Sequence, residues 1–194
     1  FSISSPEIFW QLVWDYTEVL CSKPADLVLE HADSFPGARW FAGSRLNFAE
    51  NLLRYRDHRI ALIGLLEDGG RRTLTYAELH DEVSRLAGAM RAADIKPGDR
   101  VAGYLPNIIE TVVAMLATTW IGAIWSSCSP DFGTNAVSDR FGQIAPRLLF
   151  VVDGYVYNSK PVDCLQRVRE IRAQLPDVEQ IIVIPMISEA ADIE

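Results

Sequence analysis

Near the amino end, apolar positions recur at helical spacing: Phe9, Leu12, Val13, Tyr16 and Leu20. Ser5-Pro6-Glu7 stands ahead of them as a capping residue, a proline suited to the first helical position and an acid in the first turn. The pattern predicts an amphipathic helix that starts there and ends before Pro24. From Pro24 to about Asn51 no period is sustained. Phe35-Pro36-Gly37-Ala38-Arg39-Trp40-Phe41-Ala42-Gly43 predicts an ordered loop, whose Trp40 and Phe41 need a neighbouring surface to bury them. Residues 1–55 are therefore expected to form an extension packed on a main domain.

After Tyr55 the pattern changes to strands alternating with helices. Ile60 to Leu66 is an apolar run, Asp68-Gly69-Gly70 a turn and Arg72 to Thr75 a short return strand. Thr75 and Glu78 have capping-box spacing, with Leu74 and Leu79 at the hydrophobic staple positions. Leu79, Val83, Leu86 and Met90 extend that helix toward the Lys96-Pro97-Gly98-Asp99 turn. A strand is predicted over Arg100 to Leu105, then a helix capped by Asn107 that Gly122 stops, then a buried strand over Ala123 to Ser127. Helices over Thr134 to Ile144 and Pro161 to Gln174 flank a strand over Arg147 to Asp153, and Gln180 to Pro185 is a last strand. Short connections between such elements specify an α/β fold with a mostly parallel sheet and helices on its faces.

Composition narrows the classes. Apolar residues make up 49% and charged residues 23% of the 194, which fits a folding globular chain and not a disordered one. With 18 basic and 26 acidic side chains the net charge is −8, which disfavours a general nucleic-acid or anionic-membrane surface and leaves any basic site local. Thr111 to Pro130 carries no charge over a length that could span a bilayer. Its threonines and serines, Gly122 and the lack of close basic flanks instead predict a buried helix and strand, with no membrane partner. Cys21, Cys128 and Cys164 are too few and too scattered for a disulfide framework, so reduced thiols and a cytoplasmic location are expected.

Most catalytic signatures are missing from these residues. The chain has neither a G-x-x-x-x-G-K-[ST] phosphate cradle nor a G-x-G-x-x-G turn, and it has no G-x-S-x-G elbow. His31, His58 and His80 share no ligand spacing with each other or with a cysteine, so they are expected at the surface and no metal site is predicted. The Arg54-Tyr55-Arg56-Asp57-His58-Arg59 cluster, in a net acidic chain, is expected to be a solvated connector.

Several strings nevertheless resemble one family. Trp40-Phe41-Ala42-Gly43-Ser44-Arg45-Leu46-Asn47-Phe48-Ala49-Glu50-Asn51-Leu52 is similar to the N-terminal cap segment of short-chain acyl-CoA synthetases, which are adenylate-forming ligases. Gly103-Tyr104-Leu105-Pro106-Asn107 and Ile121 to Gly133 strengthen the likeness. The Ser126-Ser127-Cys128-Ser129-Pro130-Asp131-Phe132-Gly133 wording and Asp153 to Lys160 look most like the acetoacetate-activating branch, with acetate or propionate as alternatives. The resemblance implies that residues 1–55 are the cap segment and 56–194 the first, incomplete part of an AMP-binding domain.

It implies too a parent ligase that uses ATP, Mg²⁺ and coenzyme A to convert a short acid into its CoA thioester. None of the family's later phosphate-loop or adenylation-lysine motifs occurs here. The chain alone is therefore expected to be inactive, or else to serve as a non-catalytic binding module. Two arginines that relatives turn toward the CoA phosphates fall, by the resemblance, at Tyr157 and Lys160. Lys160 keeps a point charge suited to phosphate, and Tyr157 could stack on adenine or donate one hydrogen bond. The plainer alternatives are a solvated loop lysine and a loop-packing tyrosine. Asp131 lies where relatives bring a glycine close to CoA, and its carboxylate is expected to repel phosphate there. Finally, a parallel sheet ending at Pro185 is expected to leave an edge through which the chain self-associates.

Overall fold

A chain whose buried strands alternate with amphipathic helices must cover both faces of its sheet, and the computed structural model, which describes residues 1–67 and 69–188, shows how. Its contacts divide it into two units, Phe1–Arg54 and Tyr55–Glu194.

The first unit opens with α1 (Pro6–Tyr16), which no Ser5 side-chain bond caps. The helix stops short of Leu20, because Thr17 Oγ1 donates back to Val13 O at 2.7 Å and Glu18 turns to φ 51°. The segment expected to be irregular carries an antiparallel pair, β1 (Leu27–Glu30) and β2 (Arg39–Ala42), and a short helix, α2 (Phe48–Leu52). Trp14 stacks on Phe41 at 4.4 Å, yet Trp40 stays 45% exposed and α1 has no buried residue. Asn47 caps α2 by accepting from Glu50 N at 3.0 Å.

In the second unit β3 (Ile60–Leu65) and β4 (Arg71–Thr75) form the predicted hairpin; Asp68, placed in its turn, lies outside the described residues. Helix α3 (Tyr76–Ala92) begins with the expected capping box. Thr75 Oγ1 accepts from Glu78 N at 3.2 Å while the Glu78 carboxylate accepts from Thr75 N at 2.8 Å. A four-stranded parallel sheet follows, made of β5 (Arg100–Tyr104), β6 (Ile124–Cys128), β7 (Leu148–Val152) and β10 (Gln180–Ile184), in the order β10-β7-β5-β6. Helices α4 (Ile109–Trp120), α5 (Thr134–Gly142) and α6 (Leu165–Gln174) connect these strands.

The alternation along β7 shows two buried faces. Leu149 and Val151 pack with Val137, Phe141, Val168 and Ile171 of α5 and α6, and Leu148, Phe150 and Val152, which point the other way, are buried as well. β6 is an edge strand and not the buried strand predicted, with Ile124 53% exposed.

Two further expectations fail locally. Ile108, not Asn107, occupies the cap of α4, because Ile108 N donates to Pro106 O at 3.0 Å and that tight turn delays the helix by one residue. The helix predicted from Pro161 begins only at Leu165. Residues before it form a second hairpin, β8 (Gly154–Tyr157) with β9 (Lys160–Asp163).

Candidate functional site

Strand order locates the crevice. The chain leaves β5 for β6 on one side and then crosses to β7 on the other, so the loops after β5 and β7 diverge at the carboxyl end of the sheet. Open parallel sheets take ligands at such a reversal point. The loop after β6, Ser129 to Gly133, and the β8–β9 hairpin both lie at this end.

That loop is tied down residue by residue. Tyr104, buried at the end of β5, places its Oη 2.8 Å from Pro130 O and 2.9 Å from Phe132 O, and its single proton can serve one carbonyl at a time. Arg167 of α6 donates from Nη1 to Pro130 O at 2.8 Å. Arg140 of α5 lies 4.2 Å over the Phe132 ring. Asp131 Oδ2 accepts from Ser129 Oγ at 2.9 Å, and Asp131 Oδ1 accepts from Tyr155 Oη at 2.8 Å. Burial, and then the bond to Asp131, hold the Tyr155 phenol above its ordinary range, so it stays a neutral donor. Burial likewise raises Tyr104, and it pushes the Cys164 thiol up to about 11.

Asp153, at the end of β7, anchors the other wall. It is 1% exposed and accepts from Met186 N at 2.7 Å, Ile187 N at 3.3 Å and Ser188 N at 3.0 Å, and also from Ser188 Oγ. Burial alone would raise its pKa, but these donors outweigh that and hold the carboxyl below its usual range.

The two residues singled out from sequence are brought together by the hairpin and not by a loop. Tyr157 and Lys160 are direct cross-strand partners, and Asn158 and Ser159 close the turn between them with φ of 49° and 60°. Both central residues at positive φ is the arrangement of a two-residue hairpin turn. Residues that flank such a turn project from the same face of the ribbon, so the phenol and the ammonium stand side by side, both exposed. Asp131, itself exposed, is joined to this ribbon through Tyr155, and each of its carboxylate oxygens accepts one hydrogen bond from the protein.

Sequence reasoning missed Arg167, whose helix start was set four residues too early, and Arg140. His80, expected at the surface, is half-buried against Trp120 with ring centroids 5.3 Å apart. The described residues contain no group of three or more His, Cys, Asp or Glu side chains able to hold a metal ion. No described helix is long and apolar enough to cross a membrane.

Comparison with known proteins bears on this geometry. Residues 48–193 match the model of the AMP-binding enzyme family, and residues 1–52 match that of the acetyl-coenzyme A synthetase N-terminus. The acetoacetyl-CoA synthetase of Gallus gallus is 44% identical over 196 residues, covering 100% of this chain and 29% of that protein. That of Rhizobium meliloti is 49% identical over 174 residues, 90% of this chain and 27% of the other. A malonamoyl-CoA synthetase of Penicillium aethiopicum is 42% identical, over 94% of this chain and 26% of its own. The solved acetoacetyl-CoA synthetase from Streptomyces lividans superposes with a TM-score of 0.94 at 43% identity, covering 98% of this chain and 30% of that one. The chain thus spans less than a third of the length of these relatives.

Proposed function

Because the chain belongs to the AMP-binding enzyme family, we propose that it is the front portion of an acid–CoA ligase that joins acetoacetate to coenzyme A through an acyl-adenylate. The observation that carries this reading is likeness to acetoacetyl-CoA synthetases along nearly the whole chain, in sequence and in fold. The chemistry asks for donors to the α-phosphate, a magnesium ion and a lysine that neutralises charge developing between carboxylate and phosphate. The lysines here are Lys23, Lys96 and Lys160, and we assign the adenylation step to the rest of the longer ligase.

Within that ligase the Tyr157–Lys160 face of the β8–β9 hairpin takes the nucleotide end of CoA. Lys160 supplies a point charge for a phosphate, and the ring beside it offers a flat surface for adenine. The likeness to a malonamoyl-CoA synthetase at a similar identity keeps a second short acid in view.

Pyrophosphate exchange with acetoacetate, acetate and malonamate tests the acid on the longer ligase and is expected to favour acetoacetate; equal rates would overturn that choice. Calorimetric titration tests the nucleotide site on this chain. Lys160→Ala is expected to weaken CoA about 3- to 10-fold and to leave dephospho-CoA unchanged, since one exposed charge contact is lost. Equal weakening of both ligands, or of neither, would refute a role at the 3′-phosphate, the group that dephospho-CoA lacks.

A further inference from the structure

We infer that Ser129, Asp131 and Tyr155 form a clasp that positions the β8–β9 hairpin, so that Asp131 is a positioning residue for the nucleotide-facing pair and not a group aimed at the ligand. The inference rests on the hairpin reading above.

Three observations carry it. First, β8 and β9 form a sheet of their own, and a two-stranded ribbon is marginal in water. Its base is fixed: Asp153 is buried, and Cys164 N donates to Asp153 O at 2.8 Å. A Cβ on Gly154 would stand 2.6 Å from Val162 O, so the strands are also closely apposed there. Nearer the tip, the Tyr155 bond to Asp131 ties the ribbon to the neighbouring loop.

Second, the tie lies on the useful face. Side chains two apart on a strand share a face, so Tyr155 and Tyr157 project together, as do their partners Val162 and Lys160. The clasp therefore grips the ribbon about 7 Å below the pair, which is two residues of strand.

Third, each oxygen of the exposed carboxylate already has a protein donor. Oδ1 accepts from Tyr155 and Oδ2 from Ser129, whose Oγ in turn accepts from Asp131 N at 3.3 Å. The loop carrying it is independently held by Tyr104 and Arg167, so the clasp joins a two-stranded ribbon to a loop with anchors of its own. An aspartate beside a phosphate site, unfavourable on charge alone, is accounted for by this role.

Amide exchange on the purified chain, read by mass spectrometry, tests the clasp without any ligand. Tyr155→Phe and Asp131→Ala are each expected to speed exchange across residues 154–163 roughly tenfold while peptides of β5 and β7 keep their wild-type rates. Asp131→Asn retains the Oδ1 acceptor for Tyr155 and is expected to stay within about twofold of wild type, a rescue that simple loss of bulk would not give. Unchanged exchange at 154–163 in Tyr155→Phe and Asp131→Ala would overturn the inference. So would uniform acceleration that includes β5 and β7, because the bond would then hold the whole unit. CoA titration of the same proteins separates the two claims. Weakened binding in Tyr155→Phe and Asp131→Ala, restored in Asp131→Asn, supports both, whereas a loosened hairpin with no CoA binding even in wild type upholds the clasp and rejects the nucleotide site.

Discussion

Replacing Asp153 with alanine is expected to destabilise the chain by about 2–4 kcal/mol. The carboxylate accepts from three backbone amides and one hydroxyl in Met186 to Ser188, and it is nearly inaccessible to water. Bonds to a charged acceptor contribute about 1.5–3 kcal/mol each, but four donors on one carboxylate are not additive. Ile187 and Ser188 are also partly solvated, so water can take over some of their amides after the substitution. That combination sets the estimate near the value of one to two strong bonds.

For a chain of this size the loss corresponds to about 4–16 °C in Tm. Urea and thermal unfolding, followed by far-UV circular dichroism, measure it. Asp153→Asn keeps one acceptor and sets an amide nitrogen against the other donors, so about half of the loss is expected. The pH dependence gives a second check. The folded carboxyl titrates below its ordinary value of 3.8, so its stabilisation is complete above that value and disappears as pH falls through the lower folded one. The gap between wild type and Asp153→Asn should therefore be constant near neutrality and close in strong acid. A loss under about 0.5 kcal/mol, or a gap that widens as pH falls, would refute the reasoning.

Thr75→Ala removes the acceptor of the α3 capping box and is expected to cost about 1 kcal/mol in urea unfolding. Phe141→Ala empties a fully buried site between α5 and the sheet and is expected to cost about 3–5 kcal/mol by the same measurement. Gly154→Ala drives a methyl toward Val162 O, and about 1–3 kcal/mol of strain is expected, seen as faster amide exchange at 154–163. Alkylation at pH 8 should label Cys21 well before Cys164, whose thiol is buried and titrates at about 11.

The elements legible in the sequence are those whose signal is local and redundant. Thr75 and Glu78 carry a complete start signal within four residues, and α3 begins where it says. Gly122, at φ 79°, ends α4 as a residue free of the Cβ restriction should. The strands of the parallel sheet were legible to within a residue or two, β7 and β10 as apolar runs and β5 and β6 by the turns and helices that bound them. What sequence did not show is how exposed β6 is, since a strand's place at an edge depends on the order of strands and not on its own composition. β1 and β2 escaped for another reason. Each is only four residues long, and neither Leu27–Glu30 nor Arg39–Ala42 alternates apolar with polar positions.

The candidate site lies where local signals mislead. Pro161, shortly ahead of Asp163, resembles a helix start, and Asn158-Ser159 lacks the glycine that marks most two-residue turns. The hairpin forms all the same. Pro161 sits in a two-stranded ribbon, where one side of each strand is unpaired and a missing N–H costs no ladder bond, and the Tyr155 bond supplies a tie that adjacent residues do not encode. Asp131 and Tyr155 are 24 residues apart, and only the fold places them at 2.8 Å. The Asp131 carboxylate thus has partners in Ser129 and Tyr155 that its local sequence does not announce. The family resemblance singled out Tyr157 and Lys160, three residues apart, and the turn places them on one face.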